Sequence, residues 1–462
     1  MTDAKQRAGV PVPPPPAAHD AGTPASGPAR GTAVVDRAGP GWRSSAQADE
    51  LALRYPAHAD AVRLYGDGFH RDPRTTYQRL RERYGAVAPV LLDDDVPAWL
   101  VLGYRELHFV AGEPNLFSKD SRLWNAWNLV PADWPLRPLV TWRDTLLSAD
   151  GAEHDRHSAA VDATVSSIDL LELAARCERI ADDLIDAFAS EGSADLIGQY
   201  AARLPLLVGT ALLALPPAQA ADFTDDMAAV LGRVGDVGAA EERLRSAVRR
   251  HTAARRANPG SDPLSTLATH PAALTDDEVF DNLFMLFLLG HAKTAAWIGN
   301  ALRLMLTDPR FAARLAGGRR SVEHVLDDVL WEDPPNSNAL GRWATRTVQL
   351  GAQHVRPGDL VVLSVAAANA DPVVRPDRAA GPGRNQAHLA FGSGPHRCPY
   401  PSQDISLVTT RAALSVLLDR LPDITLAAPA SELVWQPAVF VRSLTALPVV
   451  FTPIPPPGFL PV

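Results

Sequence analysis

One cysteine-bearing loop constrains the fold more than any other part of this chain. The stretch FGSGPHRC places Cys398 behind two glycines, a histidine and an arginine, and a helix-forming segment follows it. Gly392 and Gly394 allow tight turns and let the backbone approach a flat partner closely. A cysteine just before a helix N-terminus is held as a thiolate by the helix dipole and by nearby cations, which suits metal ligation.

The number and spacing of the cysteines limit what the cysteine of that loop can bind. The chain has 2 cysteines in 462 residues, Cys177 and Cys398. They cannot form a disulfide framework and they make no CxxC pair for zinc, which fits a reducing cytoplasm. A single cysteine is poor zinc chemistry, but it is how haem-thiolate proteins hold iron. The alternative for a lone cysteine is a buried structural residue.

Charge and hydropathy exclude several classes of function. The formal net charge is −9, and no basic run is interleaved with aromatic residues, so nucleic acid is not expected as a partner. The longest apolar stretches, Leu204 to Pro217 and Asn282 to Gly290, fall short of the ~20 residues that span a bilayer, so no membrane span is predicted. No fixed-period repeat is present, which excludes solenoids and propellers.

The chain divides into a short leader and one large body. Residues 1–48 are rich in Pro, Ala and Gly and lack the order of a signal peptide, so we expect a disordered leader. Helical periodicity dominates residues 49–462, most clearly from Thr275, a capping residue, to Asp308. Short β-rich runs are AWLVLG, TVQLGAQ, DLVVLSV and LPVVFTP. The sequence predicts a mainly α fold, one large helical domain with small β-sheets.

The loop from Phe391 to Cys398 resembles the haem-binding loop of the cytochrome P-450 family, which reads Phe, Gly, any residue, Gly, any residue, His, any residue, Cys. Three further segments resemble family helices: GAEHDRH the start of the C helix, LFLLGHAKTAAWIGN the I helix and VLDDVLWEDPP the K helix. The resemblance implies the soluble bacterial cytochrome P-450 fold. It also implies haem b as cofactor, with Cys398 as the proximal iron ligand.

The same resemblance implies which residues bind the haem propionates. They are His154 in the C helix, Arg342 after the K helix and His396 in the cysteine loop. Any one of them alone would be better explained as a surface or packed residue. Where the family has a second C-helix cation this chain has Ser158, and Arg156 is the nearby candidate to replace it.

The I helix departs from the family pattern. The family places an acid and then an alcohol over the iron, because splitting dioxygen requires two protons. Those positions are Ala292 and Lys293 here, and Thr294 lies about 100° further round the helix. Lys293, one of 3 lysines in the chain, either donates a proton, binds iron as a sixth ligand, or extends past the haem edge to water. Lys293 and Thr294 are therefore the candidate catalytic residues, and His291 is expected to be packed or solvated.

The K helix departs as well. The family's Glu-x-x-Arg aligns with Asp328 and Trp331, a variation that some soluble bacterial members share. An unpaired buried charge costs ~3–5 kcal/mol. Trp331 is therefore expected to pack, and Arg384 is the expected partner of Asp328.

Bulky residues stand at two further places. Tyr400 and Pro401 replace the small residues that follow the family's cysteine, so Tyr400 should point away or the next helix should start later. By resemblance, one tryptophan-rich segment covers the distal pocket, although its indoles are better explained as core residues. Its tryptophans are Trp124, Trp127, Trp134 and Trp142.

The resemblance implies a monooxygenase that acts on a small organic substrate and takes electrons from a ferredoxin docked near Arg397, in the cytoplasm. The altered I helix leaves two alternatives open. One is a haem enzyme that avoids dioxygen activation, such as a peroxide user or an isomerase. The other is a haem-binding partner or sensor without turnover, favoured if Lys293 binds the iron.

Overall fold

The computed structural model describes residues 51–308, 320–375 and 385–455. The expected leader, residues 1–48, lies outside the described residues. So does Arg384, the expected partner of Asp328.

Helices make up most of the described chain, as the sequence predicts. We number the α-helices in chain order. They are α1 (Asp67–Arg71), α2 (Pro73–Tyr84), α3 (Tyr104–Gly112), α4 (Arg137–Val140), α5 (Gly151–Ser166), α6 (Leu170–Asp186), α7 (Arg203–Leu212), α8 (Pro217–Gly232), α9 (Val237–Ala257), α10 (Pro263–Thr269), α11 (Asp276–Thr307), α12 (Arg320–Glu332), α13 (Val365–Asn369) and α14 (Ser402–Arg420).

Three small sheets accompany the helices. The strands are β1 (Val62–Arg63), β2 (Val87–Leu92), β3 (Val96–Val101), β4 (Phe117–Ser118), β5 (Ser193–Asp195), β6 (Asn338–Ala344), β7 (Val348–Leu350), β8 (Gln353–Val355), β9 (Leu360–Ser364), β10 (Thr425–Leu426) and β11 (Pro448–Val450). One sheet has the order β1-β2-β3-β9-β6-β4, a second has the order β10-β11-β5, and β7 and β8 form a hairpin. The four β-rich runs fall on β3, the β7–β8 hairpin, β9 and β11, so each predicted strand is confirmed.

Helix α11 is the longest element and lies in the middle of the helical body. It begins with a capping box: the Thr275 hydroxyl accepts from the Glu278 N–H, and the Glu278 carboxylate accepts from the Thr275 N–H. Its bounds agree with the predicted helix between Thr275 and Asp308. Because α11 packs against α7, α9, α12 and α14, apolar residues surround much of its length.

The tryptophan-rich segment belongs to a core beside the six-stranded sheet. Trp124 and Trp134 are buried, and the Trp124 ring lies 5.8 Å from that of Trp134 and 6.0 Å from that of Trp343. The Trp142 ring lies 4.2 Å below the guanidinium of Arg122. Packing thus accounts for Trp124 and Trp134, and for Trp127 packed against them, as the core interpretation predicted, whereas Trp142 is half-buried outside this core.

None of the helices in the described ranges has both the length and the apolar character that crossing a bilayer requires.

Candidate functional site

The cysteine loop is a tight turn that only glycine permits. Gly392 and Gly394 have φ angles of 78° and 72°, in the left-handed region. A Cβ atom on Gly394 would lie 2.1 Å from the Ala111 carbonyl oxygen, a distance that excludes any side chain. The Cys398 N–H donates to the Phe391 carbonyl at 2.8 Å and closes the loop. Cys398 therefore stands four residues before the first residue of α14.

The two cysteines differ in their surroundings. Cys177 is fully buried in the core, and its thiol donates to the Thr409 hydroxyl at 3.7 Å. Burial raises the pKa of the Cys398 thiol, whereas the Lys293 ammonium and a hydrogen bond with Ser402 lower it. Burial raises the pKa of both thiols, and a cation and a hydroxyl oppose that change at each of them, so what distinguishes Cys398 as a candidate metal ligand is its place at the end of the glycine-rich loop.

Lys293 extends from α11 toward the cysteine loop. Burial lowers the pKa of Lys293, and the charge of Cys398 opposes that change, which puts the two side chains within electrostatic range. Among the described residues, the Lys293 ammonium has no hydrogen-bond partner. The site therefore has a buried cation on the helix that faces the thiolate.

The three predicted propionate-binding residues meet in one place. The rings of His154 and His396 lie 4.1 Å apart. His396 Nε2 donates to the Asp150 carboxylate at 3.2 Å. Burial lowers the pKa of His396 to about 4, and Arg342, Lys119 and His154 contribute in the same direction. His154, Arg342 and His396 are thus brought together from α5, β6 and the cysteine loop.

Arg342 is the buried cation of this cluster. Arg342 is 6% exposed, and burial lowers its pKa to about 10, a change that Asp150 partly opposes. His154 Nε2 is buried without a hydrogen-bond partner among the described residues. Buried cations and buried polar atoms require partners. The residues fit haem b, because Arg342 and the two histidines would bind its propionates and the Cys398 thiolate would bind its iron.

Asp150 is a site residue that the sequence analysis missed. It lies just before α5, and its carboxylate accepts hydrogen bonds from the Ser118 hydroxyl, the Lys119 N–H and His396. Burial raises its pKa, but these hydrogen bonds hold the pKa below the ordinary range. The available signal was an aspartate at the start of a predicted helix. Asp150 orients His396 in the cluster that His396 forms with His154 and Arg342.

The expectation for Arg156 needs correction, and the contact of Thr294 is new. Arg156 binds Glu278 and Glu153 through its guanidinium, so it does not replace the missing C-helix cation beside His154. Thr294 is buried, and its hydroxyl donates to the Ser406 hydroxyl at 3.3 Å, at the contact between α11 and α14. The Thr294 hydroxyl therefore lies at an interhelical contact, and its part in proton delivery stays a prediction.

Two other expectations are confirmed. His291 is packed, and one of its ring nitrogens lies 2.7 Å from the Ala202 carbonyl. Tyr400 is 65% exposed and points away from the cluster, while α14 begins two residues later at Ser402.

Trp331 fills its position on α12 by packing. Trp331 on α12 is 2% exposed, and its indole N–H donates to the Asn385 carbonyl at 2.7 Å. The guanidinium of Arg375 lies 5.5 Å from the Trp331 ring centroid and 2.7 Å from the Glu332 carboxylate. Trp331 packs as predicted, whereas the sequence analysis did not find Arg375. Asp328 is 6% exposed.

A second group of polar side chains forms hydrogen bonds and ion pairs among its own members. Possible ligand atoms of Asp144, His157 and Glu278 lie within 4.8 Å of one another. The Asn282 amide donates to His157 Nδ1 at 2.8 Å, which leaves the ring hydrogen on Nε2, the nitrogen that faces Asp144 at 3.3 Å. Because Arg156 also binds Glu278, these residues tie α5 to α11.

Comparisons with known proteins agree with this geometry. No family model matches the chain. The chain is 30% identical over 403 residues to cytochrome P450 monooxygenase PikC of Streptomyces venezuelae, covering 83% of this chain and 92% of that protein. It is 30% identical over 396 residues to nocardicin C N-oxygenase of Nocardia uniformis, covering 83% and 97%. The solved structure of the P450 monooxygenase TamI matches with a TM-score of 0.74 and 25% identity over 87% of this chain and 97% of that chain.

Proposed function

The chain belongs to the cytochrome P450 family, and from that premise we propose that it is a haem-thiolate monooxygenase acting on a small organic substrate. One observation carries the proposal: the Cys398 thiol stands at the end of a glycine-rich loop with Lys293 in electrostatic range, and the buried Arg342 acts on His396 of the same loop. When bound, haem b supplies the redox chemistry that joins an oxygen atom to the substrate.

The roles of the cluster follow from its chemistry. We assign Cys398 as the iron ligand and His154, Arg342 and His396 as donors to the propionates. Asp150 is the positioning residue, because it holds the His396 ring by a hydrogen bond of 3.2 Å. Burial of Arg342 supports this assignment, since a buried guanidinium gains most from a bound carboxylate.

Lys293 is the proposed distal residue. Ala292 has no proton to give, and the Thr294 hydroxyl is already bonded to Ser406. The lowered pKa of Lys293 means that its ammonium releases a proton more readily than an exposed lysine does. Lys293 therefore holds a proton at Nζ on the distal side and can pass it on.

A second candidate function follows from the same residue. Lys293 lies within electrostatic range of Cys398, and the family's acid is replaced by Ala292. A neutral Nζ in that place is a possible sixth ligand. In that case the protein binds haem without classical oxygen activation, as a peroxide-using or non-redox haem enzyme, or as a partner or sensor.

We also propose where the electrons come from. Arg397 is exposed beside the cysteine loop and offers a positive charge to an acidic partner of the ferredoxin type. The two free cysteines support a cytoplasmic location.

The test of haem binding is the carbon monoxide spectrum of the reduced protein. We expect the absorption band of thiolate-ligated haem in the wild type and in Cys177→Ala, and its loss in Cys398→Ala. Cys177→Ala is the matched control because it removes the other thiol, which lies in the core. A band that survives Cys398→Ala would overturn the assignment of the iron ligand.

The ferric spectrum separates the two candidate functions. If Lys293 is the sixth ligand, the wild type has a nitrogen-ligand signature that Lys293→Met abolishes and Thr294→Val retains. A ferric spectrum that Lys293→Met leaves unchanged, together with a substrate-induced change of spin state, excludes the ligand role and favours the monooxygenase.

A further inference from the structure

Asn282 is a buried amide on α11 that joins this helix to two other segments. It is 0% exposed. Its Oδ1 accepts from the Leu146 N–H at 3.1 Å. Its Nδ2 donates to the Glu278 carbonyl at 2.8 Å and to His157 Nδ1 at 2.8 Å. Turning the amide over would set donor against donor at Leu146 and acceptor against acceptor at Glu278, so its orientation is fixed.

The hydrogen bond between Asn282 and His157 therefore runs in one direction only. Because Asn282 Nδ2 is the donor, His157 Nδ1 is the acceptor, and the ring hydrogen lies on Nε2. Protonation of His157 would put a second hydrogen on Nδ1, facing the hydrogens of the Asn282 amide. The hydrogen bond exists only while His157 is neutral.

The charged groups that face His157 come from its own helix, from the segment before it and from α11. Burial lowers the pKa of His157 from 6.5, and the Arg156 guanidinium acts in the same direction. The carboxylates of Glu278 and Asp144, 3.7 Å and 3.3 Å from Nε2, act in the opposite direction. Helix α10 also packs against α5, but it has no ionisable side chain from Pro263 to Thr269. His157 is thus neutral above pH 6.5 in the folded protein and takes up its proton only below that value.

Asn282 connects His157 to the cysteine loop through Leu146. The Leu146 N–H donates to Asn282, and the Leu146 carbonyl lies 3.3 Å from His396 Nδ1. His157 also stands three residues after His154 on α5, so these two side chains lie on one side of the helix. The His154 ring in turn lies 4.1 Å from that of His396. Two routes thus lead from His157 to the same residue of the cysteine loop.

We propose that His157 and Asn282 are positioning residues for the cysteine loop, and that they hold the loop in place only while His157 is neutral. This inference rests on the proposed haem site at Cys398 and adds a condition for keeping the cofactor there. Neutral His157 keeps the Asn282 amide turned toward Leu146. A protonated ring repels the amide, frees the Leu146 N–H and lets the segment before α5 move.

The alternative is that His157 and Asn282 only add to the packing between α5 and α11. Their effect would then be the same at every pH. His157→Asn separates the two accounts, because an asparagine oxygen can take the place of Nδ1, accept from Asn282 and stay unprotonated. His157→Leu removes the acceptor altogether.

The first measurement is hydrogen exchange of the segment that contains Leu146, followed by mass spectrometry of the full chain. It is made at about pH 7.5 and about pH 5, the range in which histidines titrate, and corrected for the intrinsic pH dependence of exchange. The control variant is His251→Asn, on α9, which removes another histidine whose pKa burial lowers.

We expect the wild type and His157→Asn to protect the Leu146 segment equally at about pH 7.5. At about pH 5 the wild type should exchange about tenfold faster than His157→Asn, since it loses a buried hydrogen bond. His157→Leu should exchange fast at both pH values, and His251→Asn should follow the wild type. Asn282→Asp replaces His157→Asn if that variant does not fold, because its carboxylate accepts both from Leu146 and from a protonated Nδ1.

The second measurement is the rate at which haem passes from the holoprotein to excess apomyoglobin, followed by absorbance at the same two pH values. The ratio of the wild-type rate to that of His157→Asn should be about one at the higher pH and about tenfold at the lower pH, because one hydrogen bond that holds the loop is lost. Comparison with His157→Asn removes the acid effects that the two proteins share.

Two results would overturn the proposal. One is the same pH dependence of exchange in the wild type and His157→Asn, which would mean that protonation of His157 does not free Leu146. The other is a haem-release ratio that stays at about one at both pH values, which would mean that the pair does not position the cysteine loop. Failure of the proposed haem site is a separate result, because a wild type that binds no haem still gives the exchange profiles.

Discussion

The Trp331 indole donates a hydrogen bond of 2.7 Å to the Asn385 carbonyl and so joins helix α12 to the segment that leads into the cysteine loop. The sequence analysis aligned Trp331 with an arginine of the family, an alignment that stays a prediction. An apolar ring with one N–H donor thus fills a position where a charged group would need a carboxylate partner. This agrees with the general finding that packed apolar groups replace a buried ion pair at little cost.

Substitutions at Trp331 separate its hydrogen bond from its packing. Trp331→Phe keeps a ring but removes the N–H, so we expect the free energy of unfolding to fall by about 1–3 kcal/mol, because the Asn385 carbonyl loses its donor. Trp331→Ala also leaves a cavity and should cost about 3–5 kcal/mol. Urea titration followed by circular dichroism measures both. Equal losses for the two variants would mean that packing contributes little.

The pairing of Asp328 with Arg384 stays a prediction, since Arg384 lies outside the described residues. Asp328 is 6% exposed, so its carboxylate needs a partner. We expect Asp328→Ala and Arg384→Ala each to lower the thermal midpoint, and the double variant to lose about 0.5–3 kcal/mol less than the sum of the single variants. Additive losses in this double-mutant cycle would rule the pair out.

Regular periodicity and one specific motif made much of this fold predictable. The helix from Asp276 to Thr307 follows from its apolar spacing and its Thr275 cap, because both signals are local in sequence. The cysteine loop follows from a motif whose glycines are required by the backbone. Both features depend on near neighbours in the chain, which a sequence displays directly.

The polar surroundings of the site were harder to predict, because they depend on tertiary contacts. Asp150 receives hydrogen bonds from Ser118, 32 residues away, and from His396, 246 residues away. Arg156 was linked to His154 by closeness in sequence, yet residues two apart on a helix do not face each other. The guanidinium of Arg156 consequently binds Glu278.

Protonation of His58 should make the protein less stable in acid. His58 is 2% exposed and lies 3.0 Å from the Ala98 carbonyl, and burial lowers its pKa from 6.5 to about 4. The unfolded chain therefore binds a proton between pH 6.5 and 4 that the folded protein does not bind. The stability that the buried, neutral His58 contributes is therefore complete above pH 6.5 and is lost as the pH falls toward 4.

The measurement is the free energy of unfolding at several pH values. His58→Gln should reduce the slope between pH 6.5 and 4 by up to about 1.4 kcal/mol per pH unit, while the exposed His354→Gln should leave the slope unchanged. If both variants have the wild-type slope, burial of His58 does not govern the acid sensitivity.

Gly394 offers a test of the cysteine loop that leaves every polar group in place. An added methyl group would lie 2.1 Å from the Ala111 carbonyl oxygen, and the φ angle of 72° is unfavourable for alanine. We expect Gly394→Ala to shift the loop and to lower the haem bound per protein after purification at least severalfold, as measured by the pyridine haemochrome absorbance. Gly290→Ala on helix α11 is the control, because no atom lies within 4 Å of its added carbon and alanine favours a helix by about 1 kcal/mol. Full haem content in Gly394→Ala would mean that the loop does not need this close approach to α3 in order to hold the cofactor.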